Sequence, residues 1–473
     1  MKRRGGRRTP WLPRFFAGLS VAAAALCTGE SWSRAHPAPS VADVPAAQSG
    51  AATVLHGNPW LLWELIPGDH LERGGHVHVN AAGFRDRDDR GLKSRPRALA
   101  LGDSSVYGFG VDDDEVFTAR LEAEVPADFV NGAVPGYSTF QALNTLRGRG
   151  LALDPDLLLV GTLWSDNNFD NFVDRDLLAS YAGWEETPTG RLRAALGRSA
   201  LFRRLDWALR VEPGSAGART VGWQVGGSEA RSGKRRVSIG DYVDNLATFC
   251  SIAARRGAGV VFIELANRED LHPVTADPAW RPYREAMATV AGACHAPLVS
   301  VPAAFVASGQ SADALFLDEM HPTAAGHAVL ADAVAAALRT ARWPETPLVA
   351  VDPGRVTPPT DPFEGHGAAA EAEGLRPGNL VLDLSLRSGS AVIIAARDAA
   401  GPPEMLPLAV AEVSSADAAD GAARVSLQLS RVPERVVLSA TYDAAGDGPS
   451  PEDVRVVSAP LPVAGAVLGL DLR

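Results

Sequence analysis

From Arg97 onward the chain alternates short apolar runs with longer segments of helical periodicity, and this rhythm constrains its fold more than any other feature. The runs are RALAL (Arg97 to Leu101), DFVN (Asp128 to Asn131), DLLLVGTL (Asp156 to Leu163), GVVFIEL (Gly259 to Leu265) and PLVSV (Pro297 to Val301). Between and after them lie helix-like segments over Glu115 to Val125, Thr139 to Arg149, Ile239 to Arg255, Tyr283 to Cys294 and Ala324 to Thr340. Strands apolar on both faces must be covered on both faces, so the pattern predicts an α/β fold with a doubly wound parallel sheet. Residues 167–238 interrupt the rhythm with an amphipathic piece around Leu201 to Leu209 and a Gly/Ser/Arg stretch from Glu212 to Arg236, read as an insertion.

The rhythm ends after Arg342, where Pro344, Pro347, Pro353, Pro358, Pro359 and Pro362 make residues 343–373 a stiff linker. Beyond it the period becomes two: Leu380, Leu382, Leu384 and Leu386 share one face, as do Val425, Leu427 and Leu429. A small antiparallel β domain over 374–473 follows, sandwich-like and accessory to the first. Asp443, Asp447, Glu452 and Asp453 in one of its loops do not have EF-hand spacing and read as solvated turns.

At the other end, Lys2, Arg3, Arg4, Arg7, Arg8 and Arg14 precede an uncharged stretch from Phe15 to Gly29, and Ser33-Arg34-Ala35 offers a cleavage site. Residues 1–35 therefore read as an export signal or an uncleaved signal anchor. The anchor alternative would attach the protein to a membrane; the cleaved form would be periplasmic or extracellular. Residues 36–96 form an arm with Trp60, Trp63 and the segment VNAAGFRD (Val79 to Asp86).

Charge narrows the partners. Against 45 Lys and Arg stand 56 Asp and Glu, a net charge of −11, whereas a chain that neutralises phosphates carries a basic excess; nucleic acid is excluded as a partner. The basic run GSEARSGKRR (Gly227 to Arg236) reads as a solvated loop. Three cysteines exclude a disulfide scaffold and a four-thiolate zinc site. Cys250 and Cys294 could pair in an oxidising compartment, but two separately buried thiols are the favoured reading. His76 and His78 share a strand face without an evident third ligand and read as an exposed strand pair, and His327, one and a half turns beyond His321, reads as facing solvent or packing on its helix.

The chemistry gathers at four places in chain order. Gly102-Asp103-Ser104 ends the first strand of the sheet, the edge at which open α/β sheets bind ligands. VNGAVPGYST (Val130 to Thr139) leaves the second strand through a Gly/Pro turn, where Gly136 can present an unobstructed N–H. DLLLVGTLWSDNN (Asp156 to Asn168) ends its strand in polar side chains. Asp318 and His321, three apart on a loop entering a helix, allow a carboxylate to orient one imidazole nitrogen while the other faces a nucleophile.

Together these four blocks resemble the SGNH/GDSL hydrolases over residues 97–342, with an arm like that of exported members. The resemblance implies a flavodoxin-like fold and a serine esterase needing no cofactor or metal. It further implies Ser104 as nucleophile, His321 as base, Asp318 as the residue orienting it, and Gly136 as an oxyanion donor. The third block departs from the family's Gly-x-Asn-Asp: Ser165 stands where the oxyanion Asn is expected, with Asn167 two residues on as the other candidate. The expected substrate is a carboxylic ester, an acylated glycan or lipid included. Two alternatives stay open, an O-acyltransferase acting on extracellular glycan with the same residues and an inert glycan- or cell-wall-binding protein.

Overall fold

The computed structural model describes residues 24–33 and, apart from short interruptions, 53–202, 234–362 and 378–473. The basic start of the leader, the Ala/Pro/Ser stretch and residues 212–233 of the insertion, including most of GSEARSGKRR, lie outside the described residues. Among those described, no helix is long and apolar enough to cross a membrane. Residues 24–33 are helical, and Glu30 within them accepts hydrogen bonds from Ser199 Oγ and from the amides of Ala200 and Leu201.

Five strands, β1 (Arg97–Gly102), β2 (Asp128–Asn131), β3 (Leu157–Gly161), β4 (Gly259–Glu264) and β5 (Leu298–Ser300), form one parallel sheet in the order β5-β4-β3-β1-β2. β1, β2 and β3 are buried along their whole length, which is why β1 and β3 read as apolar runs rather than alternating ones, while β2 keeps Phe129 and Val130 between buried Asp128 and Asn131. Helices α1 (Phe117–Glu124) and α6 (Ala324–Thr340) pack together, and α2 (Thr139–Gly148), α4 (Ile239–Arg256) and α5 (Arg281–Ala293) form a second group. This is the doubly wound fold expected. Strand order reverses between β1 and β3, and at such a reversal the loops diverge and leave a crevice at the carboxyl ends of the strands.

The insertion contributes α3 (Asp174–Glu185), on which the C-terminal β domain packs through β7 (Val392–Asp398) and β10 (Arg435–Tyr442). That domain has two sheets: β9 (Ala422–Leu429), β6 (Gly378–Ser385) and β12 (Leu468–Asp471) in one; β8 (Ala409–Val413), β7, β10 and β11 (Val454–Val457), with a short strand Leu461–Pro462, in the other. Leu380, Leu382, Leu384, Leu386, Val425, Leu427 and Leu429 all enter its core, which is separate from that of the sheet.

Three readings need correction. Cys250 and Cys294, expected as separate thiols, form a disulfide with Cα atoms 6.1 Å apart; α4 and α5 lie side by side and bring the two together. Arg235 and Arg236, read as part of a solvated loop, are buried, because Asp361 and Asp174 compensate their charges at 3.0 and 2.7 Å. The start of the proline-rich linker packs on the first domain: Ala350 N–H donates to Ala258 O, Val351 N–H to Cys294 O, and Asp361 is the carboxylate that holds Arg235. Asp443 is buried rather than solvated, accepting from Gly448 N–H at 2.9 Å and facing Arg175 at 3.4 Å; Asp447 lies outside the described residues.

Candidate active site

The site is built where β1 ends. Gly102 leaves no room for a Cβ, which would strike the Gly161 carbonyl of β3 and Val106, so the two strand ends can meet only with glycine here. Asp103 caps the short helix Ser104–Tyr107 that follows. Its Oδ1 accepts from Ser105 N–H and its Oδ2 from Trp164 N–H, both at 3.0 Å, joining the turn that bears Ser104 to the third block. Burial pushes the Asp103 carboxyl up to about 6, against these two amide donors. Ser104 stands at the first position of the helix, where an N–H has no carbonyl a turn earlier to receive it.

Asp318 and His321 arrive on the loop before α6. A bridge between Phe316 and Pro322, with Leu317 N–H donating to His321 O at 2.8 Å, closes that loop on itself. Asp318 Oδ1 accepts from the amides of Met320 and His321 at 3.1 and 3.0 Å. Ser105 Oγ donates to Met320 O at 3.0 Å and so ties the loop to the turn that bears Ser104. In the resulting relay His321 Nε2 is 2.7 Å from Ser104 Oγ, and His321 Nδ1 is 2.9 and 2.8 Å from the two Asp318 oxygens. Nδ1 facing a carboxylate carries the proton, leaving Nε2 to accept from the serine hydroxyl. Partial burial works to raise the Asp318 carboxyl, but hydrogen bonds from His321 and Arg73 outweigh it and hold the group well below the usual carboxylate range.

Gly136 has φ +83°, and a Cβ there would meet the Trp63 ring at 3.0 Å. Its peptide is held from two sides. Trp63 Nε1 donates to Pro135 O at 2.9 Å, which in a trans peptide turns the Gly136 N–H the opposite way. Arg236 donates to Gly136 O at 3.0 Å while forming a bidentate pair with Asp174.

In the third block Ser165 and Asn167 differ. Asn167 spends its amide on the carbonyls of Leu163 and Trp164, at 2.7 and 3.4 Å. Ser165 Oγ is buried and has no hydrogen-bond partner among the described residues. Asp166, which sequence reasoning passed over, accepts from Thr139 N–H and Oγ at 2.9 and 2.6 Å, and burial pushes its carboxyl up to about 7. It binds the third block to the start of α2.

His327 is buried and stacked on Phe117, with its imidazole driven down to about 3 by burial; it has no place in the relay. His78 pairs with Asp69 at 2.7 Å, and among the described residues no group of three or more His, Cys, Asp or Glu side chains could hold a metal ion. Sequence reasoning also missed Arg73, Trp63 and Arg236, none of which lies in a motif.

A parallel doubly wound sheet with a serine, histidine and aspartate relay at its switch point is the framework of a serine hydrolase. Residues 100–329 match the model of the GDSL-like Lipase/Acylhydrolase family, and this part of the chain is a domain of that family, whose members are carboxylic ester hydrolases. No curated protein matches the chain. Solved structures similar to it include an α/β hydrolase enzyme from the metagenome of Lake Arreo, Spain, with 17% identity and a TM-score of 0.33 over 51% of this chain and 94% of that one. A lipase/acylhydrolase from Enterococcus faecalis has 13% identity and a TM-score of 0.34, covering 55% and 100%. An acetylxylan esterase from Geobacillus stearothermophilus has 16% identity and a TM-score of 0.32, covering 52% and 93%.

Proposed function

We propose that the protein is an exported serine esterase that hydrolyses carboxylic esters, acetyl esters of glycans among them, through Ser104, His321 and Asp318. The observation that carries the reading is the continuous relay from Ser104 Oγ to His321 Nε2 at 2.7 Å and from His321 Nδ1 to Asp318 at 2.8 Å. Ser104 Oγ attacks the ester carbonyl carbon as His321 Nε2 takes its proton. The C–O bond to the alcohol then breaks, the alcohol leaves with that proton, and water releases the acid from Ser104 by the same steps. The Ser104 and Gly136 amides, with the Ser165 hydroxyl, are the donors proposed for the oxyanion.

Two features support the finer reading. The Cys250–Cys294 disulfide belongs in an oxidising compartment and supports export. A cleft of about 220 Å³ lined by Glu269, Asp270, Pro273, Pro278, Trp280, Arg281 and Arg284 follows Arg268, whose N–H donates to Glu319 O next to Asp318 at 2.8 Å; its four charged side chains suit a polar alcohol portion. Turnover of aryl acetate and of an acetylated xylo-oligosaccharide tests the reading, with products analysed in the presence and absence of a free sugar acceptor. Release of acetate is expected in both. Transfer of acetyl to the acceptor in preference to water would replace hydrolase by acyltransferase, and no turnover of any ester would refute the esterase reading.

A further inference from the structure

The N-terminal arm reaches the relay. Its hairpin, strands Gly68–Glu72 and Gly75–Val79, turns at Arg73 and Gly74, both at positive φ. Arg73 Nη1 donates to Asp318 Oδ2 at 2.7 Å, and Oδ2 is also the oxygen nearer His321 Nδ1. The guanidinium lies 5.4 Å over the Phe109 ring, and Phe109 rests against the His321 imidazole with ring centroids 4.9 Å apart.

This placement is built into the fold. His76 and His78 amides donate to Asp112 Oδ1 and Asp113 Oδ2 at 2.6 and 2.8 Å, and Tyr107 OH is 3.2 Å from Glu72 Oε1. Arg85, itself from the arm, pairs with Asp113 and donates to the carbonyls of Tyr107, Gly108 and Val111. Gly75 is pressed onto the Val111 backbone, and a Cβ on Gly110 would meet Leu317 at 2.9 Å and Arg73 at 3.4 Å. The hairpin tip therefore sits over the loop that carries Phe109 and against the loop that carries Asp318.

We infer that Arg73 is a positioning residue of the Ser104–His321–Asp318 relay, so that the arm completes the active site and is not an appendage to it. The inference rests on the catalytic reading of that relay. Asp318 lies on a loop with its side chain 33% exposed. Its Oδ1 is fixed by two backbone amides, whereas among the described residues the hydrogen-bond partners of Oδ2 are Arg73 and His321. The cation holds the carboxylate plane toward Nδ1 and shares the negative charge with the ring. The groups facing the imidazole are Asp318 and Arg73 at one end, Ser104 at the other, with Asp103 and His327 buried nearby. Removing the one exposed cation from this set makes protonation of the ring easier, and a protonated base is inactive.

The test compares the full chain with Arg73→Gln and Arg73→Lys by the pH dependence of kcat and kcat/KM on a small aryl ester, with Ser104→Ala as control. With the Arg73 side chain 45% exposed, the expected effect is modest: Arg73→Gln lowers kcat about two- to fivefold with little change in KM, as for a partly exposed ion pair, and moves the acid limb of kcat/KM to higher pH. Arg73→Lys restores most of both. A folded Arg73→Gln with unchanged rate and unchanged acid limb would overturn the inference. So would equal losses in both variants with the limb unmoved, which would make the hairpin merely structural. Activity persisting in Ser104→Ala would instead sink the relay reading, whatever Arg73 does.

Discussion

Asp103→Asn is the most informative substitution away from the relay, because the two oxygens of Asp103 each receive a different backbone amide, Ser105 and Trp164, at 3.0 Å. An asparagine offers one oxygen and turns an NH2 toward the other amide. Two effects of similar size then oppose one another. Asp103 is raised from 3.8 to about 6, chiefly by burial; at 1.36 kcal/mol per unit, ionising it costs the folded state about 3 kcal/mol at pH 7, which asparagine does not incur. The amide left facing an NH2 costs about 1–3 kcal/mol. Stability at pH 7 should therefore change little.

Activity should change much more. The displaced amide belongs either to the turn bearing Ser104 or to the one bearing Ser165, and a misplacement approaching 1 Å costs on the order of 10²-fold. A fall of at least about tenfold in kcat on an aryl acetate, with KM nearly unchanged, is expected. The pH dependence of stability gives a second readout. Because folded Asp103 holds its proton more tightly than the unfolded chain does, the wild type loses this contribution as pH rises from about 4 to about 6 and no more above that, whereas the variant lacks the component. Urea unfolding at pH 4.5 and 7.5, alongside steady-state kinetics, measures both. A variant with wild-type kcat would refute the claim that Asp103 holds the nucleophile turn in register.

Two further predictions concern the third block and the disulfide. Ser165→Ala should lower kcat by up to about 10²-fold if its hydroxyl serves the oxyanion, while Asn167→Ala, whose amide is spent on Leu163 and Trp164 carbonyls, should cost less than tenfold; a reversed order of the two rates would move the donor to Asn167. Replacing Cys250 and Cys294 by Ala removes a cross-link spanning 44 residues, for which the chain-entropy relation gives about 4 kcal/mol; an unchanged urea midpoint would contradict it.

The sheet was legible in the sequence because β1, β3 and β4 are buried over most of their length and leave apolar runs. The relay was legible because Gly102-Asp103-Ser104 and Asp318 to His321 are each local motifs whose geometry is set by a strand end or a closed loop. What escaped was set by pairs far apart in the chain. Arg73 meets Asp318 across 245 residues and Arg236 meets Gly136 O across 100, and neither pairing leaves a local pattern. Arg235 and Arg236 looked solvated because a charge run reveals nothing of the distant carboxylates that bury it. The disulfide escaped for the same reason: only the packing of α4 on α5 brings its two sulfurs into reach. The ordering of Ser165 over Asn167 likewise depends on the short helix Trp164–Asn167, which turns the asparagine amide back onto its own backbone.

The central claim is that Ser104 is a nucleophile activated by His321, and covalent capture tests it most directly. The full chain is treated with a fluorophosphonate, and peptide mass spectrometry locates the adduct, with Ser104→Ala and His321→Ala in parallel. The account predicts one adduct on the Ser104 peptide, none in Ser104→Ala, and labelling of His321→Ala slowed by at least about 10³-fold, as for loss of a relay member. Unlabelled Ser104 in an enzyme that hydrolyses esters, or equal labelling in His321→Ala, would contradict it.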